Sequence, residues 1–164
     1  MYPHRDLKIL FSLLAGAFLF LVGLTNATDY PTNLAFVRQV TQMEDLFSGE
    51  ALKWRSIRQP WLQHLLYVCI IVWEILCGWL AILGAWRMFR ARRKDFSSFS
   101  KASMPSAYAY GLAVALWFGG FVTVAGEWFL MWRGGSADTQ GTALLLTAVF
   151  ILLLIFHTSS ASEA

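Results

Sequence analysis

Residues 61–86 read WLQHLLYVCIIVWEILCGWLAILGAW, 26 positions without Lys or Arg and with one carboxylate, Glu74, near the middle. As a helix rising ~1.5 Å per residue the stretch spans ~39 Å, enough to cross a ~30 Å hydrocarbon core with some tilt. Three further apolar runs flank it, at about 9–25, 107–132 and 139–157. Together they predict an all-α fold: one membrane domain over residues 1–164, built as a four-helix transmembrane bundle.

The composition agrees. The chain is 57% hydrophobic and 14% charged, with a mean hydropathy of +0.54, too apolar for an ordinary soluble domain. Its Trp and Phe content suits aromatic belts at the membrane interfaces. A pI near 9.1 does not point to nucleic acid, because the positive charge is concentrated in one short segment between apolar runs. Cys69 and Cys77 stand ~12 Å apart along one helix, beyond the reach of a mutual disulfide, and read as buried structural thiols. No Cys/His spacing matches a metal site, and no nucleophile motif, P-loop or dinucleotide fingerprint is present.

Before the central helix, Arg5 and Lys8 precede the run 9–25. That run is longer than a usual signal-peptide core and no Ala-x-Ala site follows in TNATDYPT, so it reads as a retained first transmembrane helix. Ala15, Gly16 and Ala17 offer it a patch for close helix contact. The polar segment 26–60 reads as an outer loop carrying an amphipathic helix. Phe36, Val40, Met43 and Phe47 recur at helical spacing, opposite Arg38, Gln42 and Asp45, and Ser48-Gly49 offers a stop. This helix either rests on the ends of the transmembrane helices or, with Trp54, forms a docking surface for a partner.

After the central helix comes a basic loop, 87–104, holding Arg87, Arg90, Arg92, Arg93, Lys94 and Lys101 against one acid, Asp95. Short Lys/Arg-rich loops stay cytoplasmic. With both termini and this loop inside, that side carries eight basic and three acidic residues, whereas the other side carries five of each. Both termini are therefore expected in the cytoplasm, and anionic lipid headgroups account for the basic loop without nucleic acid.

Along the third run Gly111, Ala115, Gly119 and Thr123 repeat every four residues, the pattern that lets two backbones approach closely in lipid, and Glu127 follows in the series. These residues are expected to pack on another helix, with Glu127 inside the bundle. Asp138 is expected to cap the last helix.

The ionisable groups inside the apolar runs are the candidates for function. Glu74 at mid-membrane should be protonated or paired and should face protein. It either lines a proton or substrate path or donates a hydrogen bond to a neighbouring helix, and a lone carboxylate favours the second role. Glu127, ~12 Å from the centre of its helix, and His64 fall at similar depth, with Arg133 and Arg58 near them. A His64–Glu127 pair would serve as a polar lock between two helices or as the mouth of a site. A b-type haem needs axial ligands at matching depth on facing helices. His64 and His157 fall at opposite ends and His4 lies in the tail, which leaves only His64 with Met131. No cofactor is expected.

The motifs Asn26-x-x-Asp29-Tyr30, Phe36-Val37-x-x-Val40, Trp54-Arg55 and Gly126-Glu127-Trp128-Phe129-x-Met131-Trp132 resemble a family of small bacterial integral membrane proteins known as a domain of unknown function, number 2165. The resemblance covers nearly the whole chain and implies four helices in a bacterial inner membrane. It carries over no activity, substrate or functional residue. In topology alone the layout also resembles claudin-like four-helix proteins, whose paired loop cysteines are missing here.

With no convergent catalytic set, the first expectation is a non-catalytic accessory or scaffold subunit of an inner-membrane assembly. Its partners would be the bilayer and a membrane protein or a second copy. The alternative is a small proton-coupled transporter or pore using Glu74, with His64 and Glu127 near its outer mouth. A polar path from Glu74 to either residue discriminates between them.

Overall fold

The structure, a computed structural model, describes residues 3–44, 50–133 and 139–159. Regular structure among them is helical throughout: α1 (Pro3–Thr28), α2 (Tyr30–Gln42), α3 (Pro60–Ala91), α4 (Phe96–Val114, continuing as Ala115–Trp128) and α5 (Gln140–Thr158). Short 3₁₀ turns lie at Glu50–Arg55 and Met131–Arg133. Four helices are long and apolar enough to cross a membrane, namely α1, α3, α5 and the 33-residue span Phe96–Trp128. Their outward faces carry Leu14, Leu21, Val72, Trp79, Leu145 and Leu152, all exposed. An apolar exterior of this extent requires lipid.

The bundle is arranged around α3. Helix α1 packs along it on one side and α4 on the other, and α5 closes against α4. The contact faces follow the 3–4 residue step of a helix. On α3 the buried residues run Gln63, Tyr67, Ile71, Glu74, Cys77, Ala81 and onward, and on α1 they run Arg5, Ile9, Ser12, Ala15, Leu19. Where α1 crosses α3, Gly16 and Gly78 meet. A Cβ on Gly78 would stand 2.8 Å from the Phe20 nitrogen and 3.0 Å from the Gly16 carbonyl oxygen. The Ala15–Gly16 patch thus seats a helix.

The stripe on α4 does not. A Cβ at Gly111 or Gly119 would meet nothing within 4 Å, and Ala115 and Thr123 are exposed. The buried face of α4 runs through Ser106, Ala109 and Ala113. Gly111 and Ala115 stand two positions from these residues, ~200° around the helix. Spacing identified residues sharing a face, and the face they share points away from the bundle.

Two boundaries also differ from expectation. The segment 87–104 is mostly helix rather than loop: α3 runs to Ala91 and α4 begins at Phe96. Asp95 caps α4, accepting hydrogen bonds from the Ser98 amide (2.9 Å) and hydroxyl (2.7 Å). These bonds hold its carboxyl below the usual carboxylate range, the hydroxyl contributing most. Helix α2 ends at Gln42, with Met43 in the left-handed region at φ 55°. The expected stop at Ser48-Gly49, the Asp138 cap, Asp45 and Phe47 lie outside the described residues. From Ala115 onward α4 is wound with i→i+5 bonds, among them Phe129 N to Val124 O at 3.0 Å.

Candidate functional site

Glu74 is 1% exposed, and its Oε2 accepts a hydrogen bond from Asn26 Nδ2 at 2.7 Å. The backbone oxygen of Asn26 in turn accepts from the Tyr67 hydroxyl at 2.7 Å. One turn toward α2, the Tyr67 ring packs 4.8 Å from that of Tyr30, and Tyr30 stacks at 5.7 Å on His64. The Tyr30 oxygen lies 2.8 Å from His64 Nδ1, and an Arg38 nitrogen lies 3.3 Å from Nε2. A guanidinium can only donate, so Nε2 accepts; in the neutral ring the proton sits on Nδ1 and is given to the Tyr30 oxygen. Two hydrogen-bonded groups thus lie in line, Arg38–His64–Tyr30 and Tyr67–Asn26–Glu74, and the column they form is joined between Tyr30 and Tyr67 by ring contact rather than by a hydrogen bond.

The column has a floor. One turn past Glu74, Cys77 and Leu19 are both fully buried, within a cluster that includes Tyr110, Ala113, Trp117 and Phe150. The column binds α1, α2 and α3 together and leaves Glu74 hydrogen-bonded near the middle of α3.

Glu127 stands elsewhere. It is exposed and lines a groove of about 830 Å³ between α2, α3 and the last part of α4. The walls include Val37, Ile57, Cys69, Trp73 and Thr123. Glu127 is therefore outside the bundle core, and it does not pair with His64, whose two nitrogens face Tyr30 and Arg38. No described side chain hydrogen-bonds or ion-pairs with the Glu127 carboxylate. Cys77 is buried, but Cys69 is exposed on the groove. Arg133 is half-buried, its guanidinium 4.6 Å over the Trp132 ring. Arg55 lies 4.8 Å over the Trp128 ring at the same end of the bundle.

The proposed docking residues of the first long connection are mostly occupied. Val40 and Met43 are buried with Phe129, Leu130 and Met131, and Phe36 packs against that cluster. The apolar face of α2 packs largely inside the fold, with half-buried Phe36 and Val37 also lining the groove. Among the described docking residues Trp54, 70% exposed and edge-on to Trp128, is the most open.

Two polar arrangements were missed in the sequence. Gln63 Nε2 donates to the Ile57 carbonyl at 2.7 Å and anchors the connection to α3. At the opposite end, the Ser12 hydroxyl lies 3.0 Å from both Tyr110 Oη and His157 Nε2, and His157 Nδ1 lies 3.1 Å from the Leu153 carbonyl. His157 Nε2 also lies 3.2 Å from the Lys8 carbonyl, so the ring donates to Leu153 with its proton on Nδ1 and toward Lys8 or Ser12 with its proton on Nε2, and in either tautomer the contacts join α1, α4 and α5. The signal was present: Ala143, Thr147, Phe150 and His157 follow the helical step that marks the buried face of α5.

Among the described residues no group of three or more His, Cys, Asp or Glu side chains stands placed to hold a metal ion. Neither the curated proteins nor the solved structures contain a match to the chain. A family model does match, over residues 4–160, and the four apolar spans agree with its description. The chain is a multi-pass integral membrane protein and belongs to the family described as "Predicted small integral membrane protein (DUF2165)".

Proposed function

We propose that this protein is a non-catalytic accessory or scaffold subunit of a bacterial inner-membrane assembly, with both termini and the α3–α4 turn in the cytoplasm. The observation that carries this reading is the Glu127 carboxylate, unpartnered among the described residues in the wall of a large apolar groove. Charge at membrane depth is costly unless it is paired. Next to it runs the outward small-residue face, Gly111, Ala115, Gly119 and Thr123, on which a second backbone has room to approach. A transmembrane helix from a partner or a second copy, bringing a hydrogen-bond donor to Glu127, satisfies both features.

The test is site-specific photocrosslinking in native membranes, with the probe at Gly119 or, as control, at lipid-facing Trp79. A discrete protein adduct from Gly119 and none from Trp79 supports the reading. Lipid adducts alone from both positions sink it. Reporter fusions after Lys101 and at Gly49 check the orientation, cytoplasmic for the first and external for the second.

The column from His64 to Glu74 favours a second reading, a proton-coupled transporter. Its dry floor at Leu19 and Cys77 argues against conduction within one protomer. Proton flux into liposomes that Glu74→Gln abolishes would revive it.

A further inference from the structure

The α3–α4 turn holds a second cavity, of about 390 Å³, lined by Trp86, Arg87, Arg90, Lys94, Ser98 and Lys101. A basic loop follows from topology alone, but topology does not require its cations to converge. Here four of them do. Arg87 and Arg90, one helical step apart, come from the last turns of α3, Lys94 comes from the turn itself, and Lys101 comes from the second turn of α4, so the close of the turn brings the four together. The guanidinium of Arg90 is set over the Trp86 ring at 5.1 Å. Beneath the cavity Ala85, Met88, Ala91 and Phe99 are buried together and fix its walls. Asp95, the one acid in the sequence of this turn, is committed to Ser98 and does not line the cavity. The remaining loop cations are placed differently: Arg92 lies over Phe89 at 4.2 Å, and Arg93 is exposed away from the cavity.

We propose that this cavity is a binding site for a phosphate-bearing anion, which balances four like charges that no described carboxylate offsets. The phosphate belongs either to the headgroup of an anionic phospholipid or to a free phosphate compound, since the site opens at the membrane surface beside α3.

The test uses the full chain in dodecyl maltoside, assayed by native mass spectrometry. Phosphatidylglycerol, phosphatidylcholine and inorganic pyrophosphate are each titrated in turn. Retention of phosphatidylglycerol over phosphatidylcholine assigns a lipid site, and retention of pyrophosphate as well assigns a site for the phosphate group itself. In either case the double variant Arg90→Gln/Lys101→Gln weakens binding roughly tenfold or more, whereas Arg93→Gln changes it less than about twofold. All these positions are exposed, and thermal stability checks that each variant folds. The proposal is overturned if neither anion is retained, or if Arg93→Gln weakens binding as much as the double variant does, because diffuse charge would then explain it.

Discussion

Gly78→Ala probes the α1–α3 crossing with a single added carbon. That carbon would stand 2.8 Å from the Phe20 nitrogen, 3.0 Å from the Gly16 oxygen and 3.1 Å from Phe20 Cα. All three are backbone atoms, so no rotamer change relieves the contact, and α1 must retreat by roughly 0.5–1 Å to restore ordinary separations of ~3.5–4 Å. Such overpacking costs ~1–3 kcal/mol. Replacing a helical glycine also returns up to ~1 kcal/mol of helix propensity, which would blur the result. Gly111→Ala supplies the correction, because it makes the same replacement in a helix where a Cβ meets nothing within 4 Å. The difference between the two variants isolates the contact, at ~1–3 kcal/mol, or about 2–12 °C in Tm. Unfolding by SDS titration in dodecyl maltoside, followed by Trp fluorescence, reads the free energy, and a thermal scan reads the Tm. If Gly78→Ala is as stable as Gly111→Ala, the two helices do not cross as described.

Other outcomes follow from the polar contacts. Asn26→Ala removes the donor from a buried carboxylate and should cost ~1–3 kcal/mol, partly recovered in the Asn26→Ala/Glu74→Leu double variant; strictly additive losses in the same SDS titration would show that the pair does not interact. Glu74→Gln keeps the shape and an acceptor for Asn26, so its unfolding midpoint should stay within ~1 kcal/mol of wild type while Glu74→Leu loses more. Equal behaviour of the two would mean that the bond contributes nothing. Asp95→Ala should loosen the first turn of α4, read as faster hydrogen exchange at the Ser98 amide. Because the folded pKa of Asp95 lies below its usual 3.8, its contribution is present above that value and fades as pH falls through the folded pKa. The difference between wild type and Asp95→Ala should therefore vanish in strong acid; an unchanged difference there would rule out the carboxylate as the cap.

What the sequence made legible was set by composition and spacing. Four apolar runs in 164 residues identify the spans, and Glu74 is marked as a protein-facing group by the cost of placing it in lipid. Its partner was less visible. Asn26 reads as the first polar residue of a loop, yet α1 continues to Thr28 and carries it inward beside Glu74. The turn 87–104 looked like a loop because Ser, Lys, Arg and Pro105 have little apolar periodicity. The capping pair Asp95 and Ser98 was the local sign that a helix begins there. The stripe at Gly111 shows a different limit, since a four-residue repeat defines a face but not what lies opposite it. His64 and Glu127 matched in depth, but depth is one coordinate and the rotation of α4 about its axis is another.

The ties made by α1 at the basic-turn end have a consequence for how the molecule is made. Arg5 donates to the carbonyls of Arg92 (3.2 Å) and Lys94 (2.6 Å), whereas Lys8 donates to those of His157 (3.1 Å) and Ser159 (3.2 Å). The buried hydroxyl of Ser12 is shared between Tyr110 and His157. In a chain synthesised from its N-terminus, α1 enters the bilayer before any of these partners exists. It gains the Arg5 ties only when the α3–α4 turn is complete, and those of Lys8 and His157 only with the end of α5. A nascent chain stalled before α5 therefore holds α1 without the contacts that Lys8 and Ser12 make to the last helix, so the bundle closes at this end only when its final span is in place.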